Sequence, residues 1–312
     1  MLILGKKYNF TTLEIERLNK KFNNIDKIIY KDRDAKEVIA DIESVLEKTS
    51  FTLILLNTKV KVDDEIIKYL TNLKFQEKYK NIKIISIEHF LEKYLHKCYI
   101  PEDNSDLHYL DDIQGFTFFQ RVQKKIVDFI AIFFLFIIFV FVKYIVNKKT
   151  QQESPGDLYF KQLRVGLHNK EFNCTKFRSM NLDAEKDGVQ FASQNDTRVF
   201  AWGEFIRKTR VDEIPQVLNI IKGEMSIIGP RPERKYWIEK DFEKHIPYYN
   251  YRHIVKPGIT GWAQVMYPYG ANIEDARQKL MYDLYYIKYW SLWLEIKIVY
   301  KTVLVVLNKQ GV

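Results

Sequence analysis

Two adjacent carboxylates, Asp212 and Glu213, stand among a dense set of cations in the stretch Arg207–Glu233, RKTRVDEIPQVLNIIKGEMSIIGPRPE. Pro215 falls where the first turn of a helix tolerates a missing N–H, and Gly223 is a good C-cap. The pattern predicts a helix that opens with Asp212 as N-cap and turns Val217, Leu218, Ile220 and Ile221 inward. There the helix dipole and the neighbouring Arg207, Lys208 and Arg210 favour the charged carboxylate and draw in phosphate. Pro230 and Pro232 bracket Arg231 and leave its planar fork little freedom to lose on binding an anion. Alone, an Asp-Glu pair is a capping device and Gly-Pro-Arg-Pro is a turn. Together, in one stretch, they point to phosphoryl transfer with a metal.

The stretch resembles the bacterial sugar transferase family, the monotopic polyprenyl-phosphate phosphoglycosyltransferases. Those proteins carry a DELPQ-like dyad followed by a SLVGPRP-like loop; DEIPQ and SIIGPRP stand here. KFRSM (Lys176–Met180), KPGITGWAQV (Lys256–Val265) and YDLYYIKYWSLWLEIKIVYKTV (Tyr282–Val303) complete five motifs in the family's order, so the resemblance runs from about Lys124 to the C-terminus. It implies that Asp212 attacks the sugar-bearing phosphate of a UDP-sugar and forms a covalent phosphosugar intermediate, which undecaprenyl phosphate or a related polyprenyl phosphate then resolves. It implies Glu213 as the Mg2+ ligand, Arg231 as the main phosphate clamp, and Arg207 and Lys208 as secondary ones. Lys176 and Arg178, which flank Phe177, take a structural or phosphate-facing role near the dyad, and Arg252 is a substrate contact or a surface arginine. Many short members read NGR after the loop; this chain reads Met266-Tyr267-Pro268-Tyr269-Gly270, as longer exopolysaccharide-type members do, so that arginine contact is missing and the sugar is left open. The implied site is the cytoplasmic face of a bacterial inner membrane, where the chain would initiate exopolysaccharide or glycoconjugate assembly. A membrane-anchored scaffold with a vestigial dyad is the alternative, and a homodimer is left open.

The elements that must hold these residues follow from composition and period. The chain has 312 residues, enough for two domains, and a net charge of +9. That balance suits phosphorylated substrates or an anionic membrane face; no zinc-finger spacing, RNP-like motif or basic tail speaks for nucleic acid. Cys98 and Cys174 lie far apart without metal spacing and fit a reducing compartment as packing residues.

Residues 1–115 alternate short apolar runs (Leu2–Leu4, Ile28–Tyr30, Phe51–Leu56, Ile82–Ile87) with helical patterns (Thr12–Phe22, Ala35–Glu47, Asp63–Lys78). This predicts an α/β domain with a small parallel, Rossmann-like sheet. Only Gly5 follows the first strand, so the dinucleotide fingerprint is absent and a docking or regulatory role is expected. The opening MLILGKKYNF is too short an apolar run for a signal peptide.

Residues 116–153 hold the membrane element. Ile126–Val146 is apolar apart from Asp128, Lys143 and Tyr144, and its 21 residues reach about 31 Å, enough to cross a bilayer. Lysines flank both ends, which places both on the cytoplasmic side and favours a re-entrant helix. The family resemblance puts its break near Val140–Phe141, yet no proline is there, so a spanning helix stays open. Residues 154–312 read as a mostly helical α+β catalytic domain. A hairpin is expected over Tyr159–Val165 and Glu171–Lys176, and the aromatic-rich helices over Ile273–Trp290 and Leu292–Leu307 read as interfacial.

Overall fold

The computed structural model describes residues 1–30, 33–58, 62–102, 112–184, 186, 188, 196–268, 270 and 272–307. The chain divides into two compact units, Met1–Tyr99 and Ile100–Val312.

The first unit is the predicted parallel sheet. Strands β1 (Leu2–Leu4), β2 (Asp26–Ile28), β3 (Leu53–Leu56) and β4 (Lys83–Ser86) line up in the order β2-β1-β3-β4, all parallel. Helices α1 (Thr12–Asn19), α2 (Ala35–Lys48) and α3 (Asp64–Leu73) supply the crossovers, and α4 (Ile87–Phe90) follows β4. A parallel sheet buried on both faces needs near-continuous apolar strands, which LIL and LILL provide. Val38 and Ile42 of α2 and Ile66 and Leu70 of α3 close one face around Leu2, Leu4 and Ile54. Asp34 caps α2 by accepting from the Lys36 N–H.

In the second unit, α5 (Phe118–Glu153) is a single unbroken helix of 36 residues. Thr117 starts it with a capping box shared with Gln120. The break expected near Val140–Phe141 is absent: the backbone is helical through both positions. With neither proline nor glycine there, nothing interrupts the hydrogen-bond ladder. The helix is long and apolar enough to cross a membrane. One stripe of it nevertheless packs inward along its length. Lys124 is buried at one end, Phe139 and Val146 sit in a core with Phe177, Ile206 and Val217, and Thr150 is buried near the other end. Ile132, Leu135 and Val142 fall on the same stripe, whereas Phe129, Phe133, Phe141 and Tyr144 are exposed.

Strands β5 (Tyr159–Val165) and β6 (Glu171–Phe177) form the predicted antiparallel hairpin, from Tyr159 opposite Phe177 to Val165 opposite Glu171. α6 (Ala201–Lys208) leads into a 3-10 turn, Val211–Gln216, and then α7 (Val217–Ile221). β6 packs against that turn, with its Phe177 ring stacked between Tyr159 and Phe139 of α5. β7 (Ser226–Ile228) pairs in parallel with β8 (Gly258–Thr260). Short helical turns connect these to α8 (Ile273–Lys288) and α9 (Leu292–Leu307).

A buried polar knot joins three of these elements. Glu295 of α9 accepts from Tyr286 (2.7 Å) and Trp290 (2.8 Å) and pairs with Lys124 of α5 at 2.8 Å. Asp128, one turn on, accepts the Ile227 N–H of β7 at 2.9 Å. The membrane helix is thereby fastened to the strand that feeds the Gly-Pro-Arg-Pro loop.

Candidate active site

The dyad sits in the 3-10 turn, not at the cap of a regular helix. Arg210 precedes the turn in the left-handed region (φ 59°) and no side chain caps it. Asp212 is therefore a first-turn residue whose carboxylate is free for other work; the N-cap role expected for it is not formed. Within α7, Val217 and Ile220 are buried as expected, while Ile221 is 53% exposed.

The hairpin brings Lys176 to the dyad. Its Nζ lies 2.7 Å from Glu213 Oε1 and 4.0 Å from Asp212 Oδ2. Asn219 of α7 fixes that register: its Oδ1 accepts the Thr175 N–H at 3.0 Å and its Nδ2 donates to Asn173 O at 2.7 Å. Arg231 closes the other side, with Nη2 2.9 Å from Glu213 Oε1. Arg210 approaches Glu213 Oε2 at 3.7 Å.

Close backbone packing sets the position of Arg231. Gly229 donates to Thr260 O (2.9 Å) and Gly258 to Pro230 O (2.9 Å). A Cβ at Gly229 would lie 2.4 Å from Lys256 O, and one at Gly258 would lie 2.1 Å from Gly229 N. Only glycine lets the two loops approach this closely. Arg252 then holds the Arg231 carbonyl at 2.8 Å, and Arg164 holds Pro232 O at 3.0 Å.

The two carboxylates differ in charge state. Burial pushes Asp212 up to about 6; Glu213 adds to this, while Lys176, Arg210 and Arg207 oppose it. The sequence pattern had favoured its charged form, but it does not count the cost of removing water from the group. Burial acts on Glu213 as well, yet Arg231, Lys176 and Arg210 outweigh it and hold that carboxyl well below the usual range. Asp212 Oδ1 is buried without a hydrogen-bond partner.

Not every predicted cation joins the dyad. Arg178 shares no target with Lys176: β6 ends at Phe177, and the Arg178 guanidinium donates to Ser154 Oγ (2.6 Å), the Ser154 carbonyl and Asp157 O (2.7 Å). It finishes the membrane helix by satisfying carbonyls at its end. Lys208 is exposed and pairs with Glu204 along α6. Arg207 acts on Asp212 only through its field. Arg252 is not a surface group: it is buried, bonded to Tyr249 at 2.6 Å and paired with Asp283 at 2.8 Å. Asn219 lies inside the Arg207–Glu233 stretch, Asp283 inside a matched motif and Tyr249 outside them, but only tertiary packing reveals the roles of all three. Among the described residues no three or more His, Cys, Asp or Glu gather as a metal cage. Tyr269, from the segment that replaces the NGR arginine, lies outside the described residues.

The structure thus joins a long apolar helix to a desolvated carboxylate set among cations of the kind that pair with phosphate. The bacterial sugar transferase family model matches residues 119–309, and the chain belongs to that family. It is 51% identical over 159 residues to a UDP-N-acetylgalactosamine-undecaprenyl-phosphate N-acetylgalactosaminephosphotransferase of Aeromonas hydrophila, covering 51% of this chain and 37% of the relative. It is 40% identical over 198 residues to a UDP-glucose:undecaprenyl-phosphate glucose-1-phosphate transferase of Xanthomonas campestris pv. campestris, covering 62% and 40%. It is 37% identical over 207 residues to an undecaprenyl-phosphate galactose phosphotransferase of Salmonella typhimurium, covering 61% and 42%. The chain thus spans about two fifths of the length of these relatives. With α5 as its apolar anchor, the chain is a membrane protein.

Proposed function

We propose that the chain transfers a sugar-1-phosphate from a UDP-sugar to undecaprenyl phosphate at the cytoplasmic face of the bacterial inner membrane, through a covalent intermediate on Asp212. The observation that carries this reading is the unpartnered, buried Asp212 Oδ1 beside a Glu213 already taken up by cations. One carboxylate is kept free and poorly solvated, as a nucleophile requires; the other is neutralised.

In the first step an Asp212 oxygen bonds to the sugar-bearing phosphorus. The bond from that phosphorus to the bridging oxygen breaks, and UMP leaves with the electron pair. In the second step an oxygen of the polyprenyl phosphate attacks the same phosphorus, and the Asp212 carboxylate is regenerated. Lys176 and Arg231, which pair with Glu213 in the free protein, turn to the donor's phosphates and offset the charge that repels an anionic nucleophile. Both substrates use one small site in turn, so the site need never hold a nucleotide sugar and a polyprenyl chain together.

Mg2+ fits this pair of carboxylates. A magnesium ion is commonly held by one or two carboxylates with substrate phosphates completing the shell, without an all-protein cage. Asp212 Oδ1 is an open oxygen, and Glu213 becomes available as its cations move to the donor. When bound, the ion would neutralise diphosphate charge. Release of UMP from a panel of UDP-sugars, with undecaprenyl phosphate in detergent, tests the reading. We expect UMP from at least one sugar and none after EDTA treatment. A panel that yields no UMP would refute the activity, and turnover indifferent to EDTA would remove the metal.

A further inference from the structure

Lys176 and the dyad come from different elements, so something must fix how far the lysine reaches. β6 pairs with β5 along one edge. Along the other edge, the side-chain amide of Asn219 takes the place of a peptide group from a further strand. Its Oδ1 accepts the Thr175 N–H at 3.0 Å and its Nδ2 donates to Asn173 O at 2.7 Å. That is the donor and acceptor pair of a parallel ladder, made by one side chain. The second Nδ2 hydrogen goes to Glu224 Oε2 at 2.7 Å. Asn219 is 0% exposed and both its amide hydrogens are spent, so the amide has one orientation: turned over, it would set its NH2 against the Thr175 N–H. Its backbone carbonyl accepts the Glu224 N–H at 3.0 Å, two residues before β7 opens at Ser226. Asn219 therefore ties together the helix that follows the dyad, the strand that carries Lys176 and the turn that leads towards Arg231.

We propose that Asn219 is a positioning residue for the transfer: it sets β6 against the dyad turn, and with it the reach of Lys176 to the phosphate that Asp212 attacks. The inference rests on the proposed function. Asn219 bonds to neither carboxylate of the dyad and acts through its neighbours in the strand. Lys176 follows Thr175, and its Nζ stands 2.7 Å from Glu213 Oε1 and 4.0 Å from Asp212 Oδ2. The amine is thus held between the two carboxylates, within reach of a phosphate oxygen placed on the Asp212 side. A strand that slid by about 1 Å would aim it elsewhere, and a misplacement of that size costs about a hundredfold in rate. No other side chain of this size replaces the amide. Leucine has its branched shape but bonds nothing, and aspartate keeps the acceptor for Thr175 while losing both donors.

A cycle of Asn219→Leu, Lys176→Met and the double variant in the full-length protein tests this, read as kcat/KM for a UDP-sugar that the wild type turns over. Asn219→Leu should lower kcat/KM about a hundredfold, and Lys176→Met about 10² to 10³-fold. The double variant should fall no more than about threefold below Lys176→Met, because without the amine nothing is left to aim. Asn219→Asp takes the place of leucine in the same cycle if the leucine variant does not fold. Losses that multiply in the double variant would make the amide a purely structural bond and overturn the inference, with the proposed function left standing. An Asn219 variant within about threefold of the wild type would overturn it equally. A wild-type protein that releases UMP from no donor would bring down the proposed function and this inference together.

Discussion

At the scale of single residues, the site divides labour between neighbours that are chemically alike. Asp212 and Glu213 share a turn and a high degree of burial, yet one carboxyl is pushed up to about 6 and the other is held well below the usual range. The difference lies in who touches them: three cations reach Glu213 within 3.7 Å, whereas Asp212 has Lys176 alone at 4.0 Å. Arg231 matters in this scheme for its fork and not only its charge. Arg231→Lys keeps the charge but loses bidentate geometry, and should lower kcat/KM by about 10² to 10³ with little change in thermal stability. An effect below about threefold would show that a point charge suffices there. The dyad and Arg231 stood out by residue type and spacing, whereas only the family resemblance put Lys176 near them. Of the two roles open to Arg178, structural or phosphate-facing, the geometry shows the structural one: β6 ends at Phe177 and the guanidinium turns to the end of α5. The charge state of Asp212 was illegible because desolvation is a property of the packed turn.

At the scale of elements, the parallel sheet and the hairpin follow from period and turn residues, within a few residues of the expected bounds. The unbroken α5 followed less directly. The residues at 140 and 141 gave no reason for a bend; the flanking lysines favoured a re-entrant helix, and only the resemblance put its break there. What no pattern revealed is the knot formed by Lys124, Glu295, Tyr286 and Trp290, which spans 171 positions of sequence between its two charges. Lys124 and Glu295 are 7% and 2% exposed as side chains, so the pair sits where removing one partner strands the other. Lys124→Met alone should destabilise the protein by about 3–5 kcal/mol. Adding Glu295→Leu should restore much of that loss, because an apolar pair of similar volume substitutes for a buried ion pair. The comparison is made by thermal unfolding in one detergent. A double variant no more stable than Lys124→Met would mean that the pair is not the interaction that holds α5.

At the scale of the whole molecule, the packing of α5 bears on how the chain meets lipid. An inward stripe from Lys124 to Thr150 covers 27 residues, about 40 Å of helix, and faces the rest of the second unit. A helix bound in that way cannot stand upright in a bilayer without carrying polar surface into hydrocarbon, where each unsatisfied polar group costs several kcal/mol. Its exposed face of Phe129, Phe133, Phe141 and Tyr144 can enter lipid from one side, and Trp293, Tyr300 and Leu307 of α9 are exposed in the same manner. Single cysteines at Ser44 and Lys222, in protein otherwise free of Cys98 and Cys174, should therefore both react with an impermeant maleimide from the cytoplasmic side only. Labelling of the two from opposite sides would establish a crossing helix and overturn the one-sided arrangement.

The central claim is that Asp212 is esterified by the sugar phosphate during turnover. Intact-protein mass measurement after incubation with a UDP-sugar that releases UMP, in the absence of polyprenyl phosphate, addresses it directly. The account predicts a mass gain of one sugar phosphate, mapped to the peptide bearing Asp212, lost on addition of undecaprenyl phosphate and absent in Asp212→Asn. UMP release with no gain in mass, or a gain that persists in Asp212→Asn, would contradict it.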